Sequence, residues 1–378
     1  MKTKAIIISL LGCVVLSIGL VTVLFAFSED IVHRNNSFIR RYPHHPVTKM
    51  KALDIKFNSY YIAGAAGDKF FLGNVTAPLH LLSVSTSLED TTHIRLKIDS
   101  SEKGEFQSIK VKIKEPYFYI LDGTVPIILR GKIGEWIATP YMDGDAFFSL
   151  AEPMESNSFA IRARSSASNE NVLGIVHIKD TIAVKLSHHL LEKQLDGIFD
   201  TDGMLSYNKD LKKLVYVYFY RNEFIVTDEN LNLDFRGKTI DTVSKAQLEI
   251  AKIKSRNKST LGSQALWVNK QSFSSGNYLF LVSDRLGKYE PEDMLKEASI
   301  IDVYNLANNT YEFSFYLYDH NLEKLNHFQV FNDVMVGILG NFLVTYKLKP
   351  EYFDLENTSI ESSQDKNILR SIRVRSKT

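Results

Sequence analysis

Leu214-Val215-Tyr216-Val217-Tyr218-Phe219-Tyr220 is apolar or aromatic at every position. A strand with one face on a core and the other in water alternates apolar with polar residues, so this run needs cover on both faces. Tyr311-Glu312-Phe313-Ser314-Phe315-Tyr316-Leu317-Tyr318 reads almost the same way. Both faces of an antiparallel sheet are covered when sheets stack face to face in a ring. That arrangement is a β-propeller, with four-stranded blades around a channel.

The chain around these runs supports that reading. Between Lys51 and Pro350, short β-branched and aromatic stretches follow one another, bounded by Gly, Asn, Asp or Pro. Tyr117–Leu121 and Val125–Leu129 flank Asp122-Gly123, a tight-turn signal. Helical patterns are scarce; Pro291–Ala298 has room for two turns. No alternation of strand and helix occurs, which excludes a doubly wound parallel sheet. At about 40–50 residues per blade, the 300 residues from 51 to 350 hold six or seven blades. We expect six, with seven as the alternative count and a pair of β-sandwiches as the alternative architecture. The expected inner strands are Tyr60–Gly64, Phe118–Gly123, Phe147–Leu150, Gly203–Tyr207, Gln264–Val268 and Val334–Ile338.

Ahead of this all-β region, Ala5 to Phe27 carries no charge. As a helix it would span about 35 Å, enough to cross a hydrocarbon core of about 30 Å. We read residues 1–27 as a cytoplasmic stub and transmembrane signal anchor. A cleaved signal peptide fits less well, because its apolar core is shorter. Leu10-Leu11-Gly12-Cys13 resembles a lipobox, but the chain stays apolar after Cys13. Residues 28–50, with Pro43, Pro46 and His44-His45, read as a tether, and 351–378 as a flexible tail. The 51–350 region would then lie in the periplasm, with the protein single-pass in the cytoplasmic membrane.

Ser299–Tyr304 followed by Tyr311–Phe315 resembles a strand pair of six-bladed propellers of the TolB-like type. Gly340–Tyr346 is similar to their last strand. Phe38-Ile39-Arg40-Arg41-Tyr42 and Gly73–Leu79 are similar to stretches of uncharacterised membrane-anchored bacterial propellers. The resemblance covers roughly residues 38 to 348. It implies a ligand-binding or interaction platform and assigns no catalytic residue.

Forty-five Lys and Arg against 44 Asp and Glu leave a charge of +1, without the basic excess that nucleic acid requires. A single Cys excludes a disulfide scaffold and a multi-Cys zinc site. No phosphate-binding loop, nucleophile elbow or Trp-Asp repeat occurs. Asp200-Thr201-Asp202-Gly203 offers two acids to a hard cation but lacks the rest of a calcium loop, and Asp-Gly is a turn signal. His44-His45 and His188-His189 lack a third ligand, and neighbouring side chains on a strand point apart. No cofactor, metal or catalytic residue is therefore expected. Tyr60, Tyr61 and Trp267, placed on inner strands, are candidate stacking residues for a flat ligand. Asn74 is a candidate because binding residues favour loops on a rigid scaffold. The expectation is a membrane-anchored propeller that binds a small ligand or an envelope protein, with a hydrolase or lyase acting on an envelope glycan or peptide as the alternative.

Overall fold

The computed structural model describes residues 2–32, 36–99, 106–155, 157–253, 258–261 and 265–354. Six sheets of antiparallel strands follow one another around a ring, as expected. Blade 1 is Tyr60–Ala66, Lys69–Asn74, His80–Ser85 and Thr91–Arg95. Blade 2 is Lys110–Lys114, Tyr117–Asp122, Ile127–Lys132 and Ile137–Asp143, with Lys97–Ile98 added in parallel at its outer edge. Blade 3 is Leu150–Pro153, Ser158–Arg164, Asn171–Ile178 and Ile182–Ser187. Blade 4 is Gly203–Asn208, Lys213–Tyr218, Glu223–Asp228 and Leu233–Lys238. Blade 5 is Gln271–Ser275, Tyr278–Ser283, Ala298–Asn305 and Thr310–Tyr318. Blade 6 takes Leu325–Phe331, Val334–Leu339 and Phe342–Leu348 from the end of the chain, and its outer strand, Val47–Asp54, from the beginning. Val47 pairs with Leu348 and Asp54 with Phe342, so the two ends of the domain seal the ring.

Six apolar clusters fill the gaps between neighbouring blades, and they explain the two-faced strands. Leu214, Tyr216 and Tyr218 pack against blade 3, while Val215 and Val217 pack against blade 5. Phe118 and Ile120 face blade 1, whereas Tyr119 and Leu121 face blade 3. Alternation survives, but both of its phases are buried.

Two of the six expected inner strands, Tyr60–Gly64 and Gly203–Tyr207, are inner strands. Phe118–Gly123 and Val334–Ile338 instead fall on second strands, and only Leu150 of Phe147–Leu150 joins an inner one. Gln264 lies outside the described residues, and Ala265–Val268 precedes the true inner strand of blade 5, Gln271–Ser275. The stretch Gly340–Tyr346, read as a last strand, contributes to the third strand of blade 6, since the N-terminal strand lies outside it. The two turns expected at Pro291–Ala298 shrink to one, Met294–Glu297.

The N-terminal helix runs from Lys2 to Val32, and Ile6–Phe25 within it is long and apolar enough to cross a membrane. The tether expected over residues 28–50 is shorter. Residues 36–42 are strapped to blade 5, the His44 and Pro46 carbonyls accept from Tyr352 and Lys349, and Val47 already belongs to the ring. Of the expected tail, Phe353 is buried against Tyr278, Phe280 and Phe313, and residues 355–378 lie outside the described part.

Candidate functional site

Each outer strand connects to the next inner strand at one face of the ring, called here the upper face. The turns between second and third strands lie there too. The inner strands do not hydrogen-bond to one another as a sheet, so side chains lace them together around the axis. Lys112 pairs with Glu152 at 2.6 Å and Lys114 with Glu155 at 2.8 Å. Gln329 donates to the Ile62 carbonyl at 3.1 Å, and the Ile62 N–H donates to His327 Nδ1 at 3.3 Å. Burial, with Lys112 and Lys110 nearby, pushes the His327 imidazole down to about 3, so it stays neutral at physiological pH. Polar side chains thus tie neighbouring inner strands together along the channel.

A cavity of about 310 Å³ opens on the upper face where blades 2, 3 and 4 meet. Phe147, Phe148 and Ser149 reach it from the connection into blade 3, and Ile198, Phe199 and Asp202 from the connection into blade 4. Arg162, Arg164 and Asn171 flank the central turn of blade 3. Gly123 makes the wall possible: a Cβ there would stand 1.8 Å from the Phe148 carbonyl oxygen.

Arg162 is fixed from four sides. Its Nε donates to Ser149 Oγ at 2.8 Å, and one terminal nitrogen reaches the Gly203 carbonyl and the Tyr216 hydroxyl, each at 3.2 Å. The same nitrogen pairs with Asp202. Burial opposes the charge on Arg162, but Tyr216 and Asp202 outweigh it and hold the proton more tightly than usual. Asp200 shapes the loop that presents Ile198 and Phe199, accepting N–H bonds from Gln194, Leu195, Asp196 and Gly197. Burial pushes its carboxyl up, and these N–H bonds bring it below the ordinary range. Both acids of the Asp200-Thr201-Asp202 motif are thus engaged, one by backbone N–H groups and one by Arg162. Arg164 is exposed at the cavity and forms no hydrogen bond or ion pair among the described residues. The cavity therefore offers one unspent cation beside three phenyl rings.

The four residues expected from sequence do not converge. Tyr60 is buried between blades 6 and 1. Tyr61 bridges blades 1 and 2: its hydroxyl accepts the Val111 N–H at 2.7 Å and Lys110 sits 4.5 Å over its ring. Asn74 is buried, and its Oδ1 accepts from Thr76 N, Thr76 Oγ1 and Ala77 N, which makes it a turn cap. Asp122 does the same one blade on, toward Thr124 and Val125. Trp267 is off the inner strands, 41% exposed on the upper face, with Phe219 and Tyr220 each 5.0 Å from it. The Phe219 N–H donates to the Asp202 carbonyl, so this aromatic group adjoins the cavity wall. Two stretches singled out in the sequence reach the cavity: Phe147–Leu150, read as an inner strand, and Asp200-Thr201-Asp202-Gly203, through Asp202.

No protein-family model and no curated protein matches the chain. Among solved structures, it is similar to a protein described as exported from Bacteroides fragilis, with a TM-score of 0.51, 10% identity, and coverage of 83% of this chain and 99% of that one. It is equally similar to a member of the DUF4221 family from Bacteroides vulgatus, with a TM-score of 0.51, 12% identity, and coverage of 80% and 98%. At these identities the likeness is one of fold. The chain is a six-bladed β-propeller preceded by an apolar helix able to cross a membrane.

Proposed function

We infer that the protein is a membrane-anchored, extracytoplasmic binding propeller. Its ligand would be a small molecule or peptide end that carries an anionic group beside a flat apolar one. The observation that carries this is Arg164, a cation without a partner among the described residues, at the rim of a cavity walled by Phe147, Phe148 and Phe199. A guanidinium left unpaired beside aromatic faces suits a carboxylate with an adjoining ring. Arg162 supports the site by position, since its Nε is held by Ser149 and one terminal nitrogen by Gly203, Tyr216 and Asp202. The only carboxylate among the lining residues is paired, which favours binding over acid–base chemistry. The apolar helix and the likeness to an exported protein support an extracytoplasmic location.

The test is a thermal-shift screen of the full chain in detergent against acidic sugars and peptides ending in an aromatic residue. Hits are repeated on Arg164→Ala. A hit whose shift disappears in the variant supports the site. Hits that all survive Arg164→Ala would overturn it.

A further inference from the structure

The apolar helix ends at Val32, and the chain is fixed again at Asn36. The Asn36 N–H and side-chain amide both donate to the Leu286 carbonyl, and the Lys288 N–H donates to the Phe38 carbonyl. Arg40 is buried in a bidentate pair with Asp302 and a further pair with Glu290 at 2.8 Å. Leu286, Lys288 and Glu290 belong to the upper-face loop between the second and third strands of blade 5. At about 3.5 Å per extended residue and about 1.5 Å per helical residue, Asn36 stays within about 25 Å of the last residue of the apolar span, Phe25. The strap therefore holds the upper rim of the ring, at blade 5, close to the membrane.

An independent observation selects the same face. Between residues 36 and 354, fourteen large apolar side chains are exposed among the described residues. Nine lie in upper-face loops, at the upper ends of strands or on the strap beside them, and none lies in a lower-face hairpin. Of the other five, Tyr42 is on the strap, Met50 and Val184 lie within outer strands, and Ile137 and Leu233 begin outer strands at their lower ends. Phe57, Phe147, Leu195, Trp267 and Leu322 occupy five of the six connections between consecutive blades, so the exposed apolar groups go around the ring. Ile39 (57% exposed) and Tyr289 (74%) flank the strap itself. Val75 and Tyr318 complete the set. Water-exposed aromatic and aliphatic groups gathered on one face mark an interaction surface. Trp and Tyr are the residues that settle at a headgroup layer.

We propose that the upper face docks on the surface of the bilayer that holds the helix. The occupant is lipid, because the strap leaves this face next to the membrane and the ring of apolar tips goes around it. The face mixes both signs, for example Lys288 with Glu292, Asp293 and Lys296, so the contact is interfacial rather than electrostatic. The cavity bearing Arg164 then opens toward the headgroup layer. The proposal rests on reading the helix as a membrane anchor.

The chain carries its own reporters: its two Trp residues lie on opposite faces, Trp267 above and Trp136 in a lower turn packed on Phe71 and Phe118. The full chain is reconstituted in phosphatidylcholine vesicles with brominated acyl chains, as Trp136→Phe and as Trp267→Phe. Flotation with the vesicles is scored first. Loss of about half the emission of Trp136→Phe, with that of Trp267→Phe nearly unchanged, supports docking. Flotation without selective quenching of Trp267 overturns it and leaves the anchor standing. Trp267 shielded from aqueous acrylamide but untouched by brominated lipid also overturns it, and points to a second copy on this face. Failure to float overturns the anchor and the docking together.

Discussion

The two faces of the ring are built from the same six blades but by different rules. On the lower face, inner and second strands of four blades are joined by two residues, at 67–68, 115–116, 276–277 and 332–333. On the upper face, residues 188–202 join blade 3 to blade 4, and 239–270 join blade 4 to blade 5. Leu88 and Leu231, in lower turns, are buried, whereas Phe57, Phe147 and Leu322, in upper connections, are exposed. The lower turns have only to reverse the chain. The upper connections must cross from the rim to the axis, so they have length to spare for a cavity, a strap and an apolar surface.

The largest effect should come from the strap. Arg40→Ala leaves Asp302 and Glu290 buried without their cation and should cost about 3–5 kcal/mol, read as a lower denaturant midpoint. Lys296→Ala, at an exposed pair with Asp293, should leave that midpoint in place.

Two glycines then separate the faces. Gly123→Ala would force the Phe148 backbone away from the cavity wall, at about 1–3 kcal/mol, and should abolish binding of any ligand found there. Gly67→Ala, in a lower turn with φ +55 and open space around it, should cost about 1 kcal/mol of backbone strain and leave binding untouched. A reversal of these binding outcomes would break the division of labour between the faces.

His327 tests the axis between them. Its imidazole titrates near 6.5 in an unfolded chain and near 3 in the channel. Between those values only the unfolded chain takes up the proton, so stability falls as pH drops below about 6.5. From about pH 6 to 5 the wild type should lose up to about 1.4 kcal/mol more than His327→Gln. Equal pH profiles would mean that the imidazole is not held neutral. Arg164→Ala should change stability by no more than about 0.5 kcal/mol, with its consequence confined to ligand binding.

The strands misassigned from sequence share a physical cause. Second strands such as Tyr117–Asp122 and Val334–Leu339 are covered on both faces and are therefore the most apolar, which makes them look central. The inner strands border a polar channel and carry Lys110, Lys112, His327 and Gln329, so they read as half-exposed. Asn74 was legible as a loop residue, but its engagement by Thr76 and Ala77 was not. Trp267 reads as an inner-strand residue because an apolar run surrounds it, but that run is part of the connection into blade 5.

The membrane-length helix and the propeller class can be read along the chain, because both follow from how many faces a segment must bury, which local composition records. Where the ring closes, that Arg40 belongs with Asp302 and Glu290, and that residues near 123, 148, 162 and 202 share one cavity emerge in three dimensions alone. Those relations join positions far apart in the chain, and a contact across a blade junction leaves no period for a sequence to show.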